Sequence, residues 1–237
     1  MIIKNILRRL RVLLICFISQ RKSNLNIAEK VLILAPHADD EVLGCGGLIQ
    51  RAVVQEKEVY IIILTDGSAS HGECDTEKEQ AIVEARRKLA CKAAQKLYVH
   101  APIFLNFPDG KMNAEHPDVK KLHKLIKNIK PRQVFIPSHL GGWNDHVVVE
   151  SLIRPLFHII PQVYEYCVWF WYYFTWNINW ADAEVVRMDK QELKEKKQLM
   201  KDYTTALAPN GKPWIGVLPK ILLEAATRKC ELYFKIK

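Results

Sequence analysis

The sequence predicts an α/β protein with a mostly parallel sheet, and two observations carry that expectation. Short apolar runs alternate with helical stretches along the chain, which is the pattern of βαβ units. The 237 residues, 49% of them hydrophobic, are enough to bury one substantial core. Strands are expected near 31 to 35, 59 to 64, 102 to 105 and 133 to 137, with helices near 41 to 55, 77 to 96 and 117 to 129 between them. No internal repeat or low-complexity linker breaks the series, so residues 26–237 read as one domain behind a distinct segment at 1–25.

That first segment is basic and amphipathic. It carries Lys4, Arg8, Arg9, Arg11, Arg21 and Lys22 without an acid, interleaved with Ile2, Ile3, Ile6, Leu7, Leu10 and the run Val12 to Ile18. The run is short of the roughly 20 apolar residues that span a bilayer, and no small-residue cleavage site follows it. Two readings stand: a helix lying on an anionic membrane surface, or a helix packed on the domain or on a second subunit. Much of the net charge of +9 is concentrated here.

The first strand runs into Ala35-Pro36-His37-Ala38-Asp39-Asp40-Glu41, an imidazole and three carboxylates at the end of a buried element. Such a group is costly to bury unpaired, and a divalent cation compensates several of its members at once. A turn followed by an acidic helix start is the plainer alternative. Gly44-Cys45-Gly46-Gly47 does not make a dinucleotide fingerprint, because no G-x-G-x-x-G follows the strand directly; small residues for close helix–strand packing account for it better. A second group follows the fourth strand, Val134 to Pro137, in Ser138-His139-Leu140-Gly141-Gly142-Trp143-Asn144-Asp145-His146. Parallel strands would open both groups on one edge, where open α/β sheets bind ligands. A His37, Asp40 and His146 set would leave a coordination position free for water, as catalytic zinc sites do.

Taken together, Pro36 to Glu41 followed by Val42-Leu43-Gly44-Cys45-Gly46-Gly47, then Thr65-Asp66-Gly67, Asn106-Phe107-Pro108-Asp109-Gly110 and Asn144-Asp145-His146 resemble the PIG-L/LmbE-like zinc-dependent de-N-acetylases. The resemblance extends from about residue 30 to about residue 205, ending at Tyr203-Thr204. It implies a Rossmann-like three-layer sandwich and a metal-dependent hydrolase that removes an N-acetyl group from an N-acetylglucosamine-type sugar. Carried over by position, it makes His37, Asp40 and His146 the ligands of Zn2+ or another divalent metal. Asp39 becomes the general base that activates zinc-bound water, and Asp109 approaches the sugar hydroxyls. Glu41 either orients His37 or sits in the first helical turn, and Asp145 is expected behind the ligands. Family members commonly carry a histidine where this chain has Trp143, so His139 is the candidate replacement donor and Trp143 a substrate-contact candidate.

Arg86 and Arg87 are further substrate-contact candidates, with a solvated helix face as the alternative. Asp66 and Asp109 both sit in Asp-Gly turns, which explain them nearly as well as a functional role does. Residues 164–180 hold ten of the 22 aromatics. Their alternation on a strand would send some inward and leave others to stack on sugars, meet a membrane or join subunits. Asp189 to Tyr203 reads as a closing charged helix, Pro209 to Pro219 as a loop at the rim of the site, and the last helix with its Lys-rich tail carries no chemistry. Six cysteines without a C-x-x-C pair suit a reducing, cytoplasmic setting, at the inner face of the membrane if the N-terminal segment docks there. The expected partner is an N-acetylated amino sugar or lipid-linked glycan. A nucleic-acid module is disfavoured, because Asp39, Asp40 and Glu41 would repel phosphate at the ligand edge. A metal-binding glycan-recognition pseudoenzyme is the closer rival.

Overall fold

The computed structural model describes residues 2–237 apart from Glu73 and Phe174. Phe174 of the aromatic cluster, and the side chain of Ile2, therefore lie outside the described residues. The chain runs α1 (Ile2–Ser19), β1 (Lys30–Ala35), α2 (Asp40–Val54), β2 (Glu58–Thr65), α3 (Thr76–Lys96), β3 (Ile103–Phe107), α4 (Asp118–Ile129), β4 (Gln133–Pro137) and α5 (Asn144–Ile153). It continues through β5 (Gln162–Tyr166), β6 (Ala183–Arg187), α6 (Lys190–Thr205), α7 (Lys220–Ala226) and β7 (Cys230–Lys235). The four strands and three helices expected from the apolar pattern all form, with ends shifted by two residues at most.

Seven strands make one sheet in the order β3-β2-β1-β4-β5-β7-β6. The first five are parallel, and β7 runs antiparallel to both β5 and β6. Alternate residues of β1 feed opposite cores. Val31, Ile33 and Ala35 pack with α2, α3 and α6, while Leu32 and Leu34 pack with α4 and α5. Burial of both faces explains why β1 reads as an unbroken apolar run rather than an alternation. Because β1 lies between β2 and β4, the chain crosses over at the β1–β4 boundary, and the carboxyl ends of these two strands border one crevice.

Two expectations at the carboxyl half give way. The aromatic stretch is not one strand: β5 ends at Tyr166, and the chain then turns through short 3-10 segments at Trp169–Trp171 and Trp180–Asp182. The Lys-rich tail is β7, an internal strand whose Glu231, Leu232, Tyr233 and Phe234 are all buried. Its antiparallel entry leaves no βαβ spacing in the sequence by which to recognise it.

The glycines of α2 serve packing. A Cβ on Gly44 would lie 2.2 Å from Cδ2 of Tyr166, and one on Gly47 2.7 Å from Sδ of Met188. Close approach also seats a buried ion pair beside the helix. Lys196 Nζ donates to Glu231 Oε1 at 2.6 Å and to Leu43 O at 2.9 Å. Glu231 in turn accepts from the Gly47 and Leu48 amides and from the Tyr233 hydroxyl.

The N-terminal helix packs on the domain, as one of its two readings expected, but with an unexpected face. Arg11, Val12, Ile15 and Ser19 are buried, and Val12 and Ile15 join a small core with Phe170, Trp171, Leu232 and Phe234. Arg11 donates from Nε to Thr175 O at 2.8 Å and from Nη1 to Phe170 O at 3.0 Å. Among the described residues, no helix is long and apolar enough to cross a membrane.

Candidate metal centre and active site

His37 leaves β1 through Pro36 and sits just before α2, whose first residue is Asp40. Asp39, between them, takes φ 148°, a conformation that side chains rarely adopt. Two neighbours over-determine it. The Asp39 amide donates to Glu41 Oε2 at 2.9 Å, and Tyr203 of α6 donates to Glu41 Oε1 at 2.5 Å. Glu41 therefore braces the backbone of Asp39 and ties it to α6, where a role in orienting His37 was one of its two expected readings. Strain held in this way at a cluster of charged side chains is typical of a working site.

The second group arrives with α5, which starts at Asn144 beyond β4 and buries both Asp145 and His146. Asp40 Oδ2 lies 3.2 Å from His37 Nδ1 and 3.2 Å from His146 Nε2. His146 Nε2 is buried without a hydrogen-bond partner. Tetrahedral zinc, with bonds of about 2.0–2.1 Å, sets neighbouring donors roughly 3.3 Å apart, so both distances from Asp40 Oδ2 suit such an ion and the buried His146 nitrogen has a use. One ligand atom from each of His37, Asp40 and His146 lies within 4.8 Å of the others.

On its other edge the His37 ring meets two more carboxylates. Nε2 is 3.1 Å from Asp109 Oδ1 and 3.2 Å from Asp145 Oδ2. Such contacts place a proton on Nε2, and in the neutral ring leave the Nδ1 lone pair beside Asp40, free for a metal ion. Asp109 is also held by the Ala69 amide, and Asp145 by the Gly110 and Met112 amides, so the loops after β2 and β3 are locked to the same ring.

Burial alone would lower the His37 pKa, but its bonds to Asp109, Asp145 and Asp40 outweigh that and hold it well above the ordinary imidazole value. Burial raises Asp40, yet His146 and His37 pull it below the usual carboxylate range. Asp39 moves the other way, pushed well up by burial and by Asp40 against the opposing pull of Arg86. Adjacent carboxylates are thus driven apart by their surroundings, as acid–base pairs in active sites are.

Arg86 is 3% exposed and not on a solvated face. Its Nη2 lies 3.6 Å from Asp39 Oδ1, and its guanidinium reaches the carbonyls of Gly67 and Ala38 at 3.4 Å. Gly67, at φ 74°, makes room for it, since a Cβ there would come within 2.8 Å of Arg86 Nε. Arg87, by contrast, is turned outward to Asn106. Asp66 accepts from the Ser68 amide at 3.0 Å, the turn role that its sequence context allowed.

A cavity of about 220 Å³ opens over His37, Asp39 and Asp40. It is below the roughly 300 Å³ at which drug-sized pockets begin. Arg86, Asp109 and Trp143 line it, together with Trp169 and the loop Ile215 to Leu218. Trp143 stacks on Trp169 with ring centres 4.8 Å apart and planes 9° from parallel. Trp169 and Tyr203 had no assigned part in the sequence reading. Trp169 was hidden in a run of aromatics, although its place just past a strand end is where sheet-edge sites collect residues. A larger cavity of about 710 Å³ between the far ends of α2 and α3 and the start of α6 is walled by long charged side chains such as Arg51, Glu192 and Glu195. It lies at the opposite edge of the sheet from the histidines.

His139 is not among the residues lining the smaller cavity. Its Nδ1 pairs with Glu165 Oε1 at 2.5 Å, and its side chain is about half exposed. The buried carboxylate of Glu165 in β5 holds the ring through Nδ1.

The family described as PIG-L: GlcNAc-PI de-N-acetylase matches residues 32–157. The chain is 28% identical over 153 residues to the uncharacterized deacetylase YaiS of Escherichia coli K12, covering 61% of this chain and 76% of that protein. It is 29% identical over 122 residues to the diacetylchitobiose deacetylase of Thermococcus kodakarensis, covering 51% of this chain and 45% of that one. Among solved structures, the zinc-inhibited form of teicoplanin deacetylase Orf2 superposes with a TM-score of 0.63 at 16% identity, covering 86% of this chain and 97% of the other.

Proposed function

Because the chain belongs to the PIG-L family of de-N-acetylases, we propose that it is a metal-dependent hydrolase removing the N-acetyl group from an N-acetylglucosamine-type sugar or glycoconjugate. The observation that supports the reading is the convergence of His37, Asp40 and His146, with Asp40 Oδ2 3.2 Å from each of His37 Nδ1 and His146 Nε2, beside a strained carboxylate at the floor of a small cavity. A divalent cation held there supplies electrophilic polarisation of the amide carbonyl and acidifies water.

The remaining work falls to the chain. Asp39, fixed by Glu41 and flanked by Arg86, takes the proton of the attacking water and delivers it to the departing sugar amine, so that one carboxylate serves as base and then as acid. Arg86 limits the repulsion between Asp39 and Asp40. Asp109 and Asp145 keep the proton of His37 on Nε2, and Asp109, at the cavity wall, is placed for a sugar hydroxyl. The Trp143–Trp169 pair offers a flat apolar wall on which a pyranose ring can stack. In this reading Asp39 carries the proton transfer.

Metal analysis of the purified protein, combined with acetate release from N-acetylglucosamine conjugates, tests the proposal. Bound divalent metal with acetate release is the expected result. Metal without acetate would make the chain a glycan-binding pseudoenzyme, the rival that the tryptophan at position 143 favours, and neither would overturn the site altogether.

A further inference from the structure

The N-terminal helix turns its apolar stripe away from the protein. Ile6, Leu7, Leu10, Leu13, Leu14 and Phe17 are all 46–56% exposed, and Ile3 is 72% exposed. At 3.6 residues per turn these positions share one strip of roughly 120°, on the side opposite the buried Arg11, Val12, Ile15 and Ser19. A continuous exposed strip of this kind on a folded chain marks a contact surface.

We propose that α1 lies along an anionic lipid bilayer, with this stripe in the headgroup–acyl boundary. Charge selects that occupant. No acid occurs before Glu29, and the exposed Lys4 and Arg21 accompany the helix, while Arg9 pairs with Glu224 Oε1 at 2.8 Å. Arg228 and Lys229 stand exposed beside Leu13 and Phe17, on the rim of the same surface. A two-fold pairing of this face with a second copy would set cations against cations, whereas an anionic bilayer neutralises them all. The helix, about 27 Å long at 1.5 Å per residue, lies on a membrane rather than across it. Its exposed leucines and Phe17 supply the apolar depth.

The same geometry joins the docking face to the cavity. Arg8 Nε donates to Tyr172 O at 2.9 Å and Arg11 Nη1 to Phe170 O at 3.0 Å, so α1 is stapled to the short turn whose Trp169 lines the cavity. A helix resting on the bilayer therefore holds that turn behind α1, about one helix diameter, roughly 10–12 Å, from the headgroup layer where an amino sugar carried on a lipid would be presented. The docking stands on α1 alone, and only this last link rests on the deacetylase reading.

Co-sedimentation of the full chain with vesicles of phosphatidylcholine, with and without phosphatidylglycerol, tests the docking without reference to turnover. The wild type should pellet with the phosphatidylglycerol vesicles and be released as salt rises. Leu10→Gln/Leu14→Gln should lower partitioning at least about tenfold, while the circular dichroism spectrum and melting temperature stay unchanged. Lys4→Glu/Arg21→Glu, which spares the apolar stripe, should weaken binding to the anionic vesicles only. Absence of wild-type binding to either vesicle would overturn the proposal, as would undiminished binding by the leucine variant. Equal binding to neutral vesicles would overturn the anionic choice. A dimer in sedimentation velocity that the leucine variant dissolves would give the face to a second copy instead.

Discussion

Replacing Lys196 with methionine keeps the aliphatic stem that packs on Gly46 and removes the ammonium group from a fully buried pair. Glu231 would then be stranded inside the domain, though it would still receive the Gly47 amide at 2.6 Å, the Leu48 amide at 2.8 Å and the Tyr233 hydroxyl at 2.6 Å. Breaking a buried pair by removing one partner costs about 3–5 kcal/mol, and three surviving donors place this case near the lower end, about 3 kcal/mol. In a domain of this size each kcal/mol lowers the melting temperature by about 2–4 °C, so Lys196→Met should melt about 6–12 °C below wild type. The loss falls on α2, because Lys196 also holds Leu43 O three residues after Asp40. Calorimetric or circular dichroism melts of the metal-free protein read it directly. In the Lys196→Met background, Glu231→Gln removes the stranded charge and should cost at least about 1 kcal/mol less than it does in the wild type. A Lys196→Met melt within about 1 °C of wild type, or strictly additive losses in the double variant, would refute the reasoning.

Zinc at about 100 times its dissociation constant should stabilise the chain by about 2.7 kcal/mol, and His146→Ala should abolish the rise in a thermal scan against a chelated control; an equal rise in both would place the ion elsewhere. Asp39→Asn should retain metal yet lose about 100- to 10,000-fold in kcat, and a variant within tenfold of wild type would remove Asp39 from proton transfer. The His139 pKa is raised, chiefly by its bond to Glu165 and against the effect of burial. A raised folded-state value means that this contact stabilises the fold fully below the ordinary imidazole pKa and ceases to do so as pH climbs through the raised one. An NMR titration should show that midpoint falling in Glu165→Gln, and an unmoved midpoint would detach the histidine from Glu165.

Local pattern made the parallel half of the fold legible. An apolar run such as Val31 to Leu34 needs only its own residues to be recognised, and the βαβ spacing then dictates parallel neighbours. The carboxyl half carries no such signal. Cys230–Lys235 has a charged, modestly apolar composition and becomes a central strand because Lys196 and two helix amides neutralise Glu231 inside the core. Arg86 shows the same limit. A basic pair on a helix reads as solvated until Gly67 is seen to admit one guanidinium to Asp39.

The chain by itself determined which chemistry was available, because imidazoles and carboxylates at two strand ends are a property of residue type and spacing. Tertiary structure alone decided how they are used. It set Asp40 between two histidines, strained Asp39 over Glu41 and Tyr203, bonded His139 to Glu165, and faced the apolar stripe of α1 outward. Each of these depends on a partner from 26 to 164 positions away, and bonds between such distant residues are chosen by packing and electrostatics in the folded domain, where no local periodicity records them.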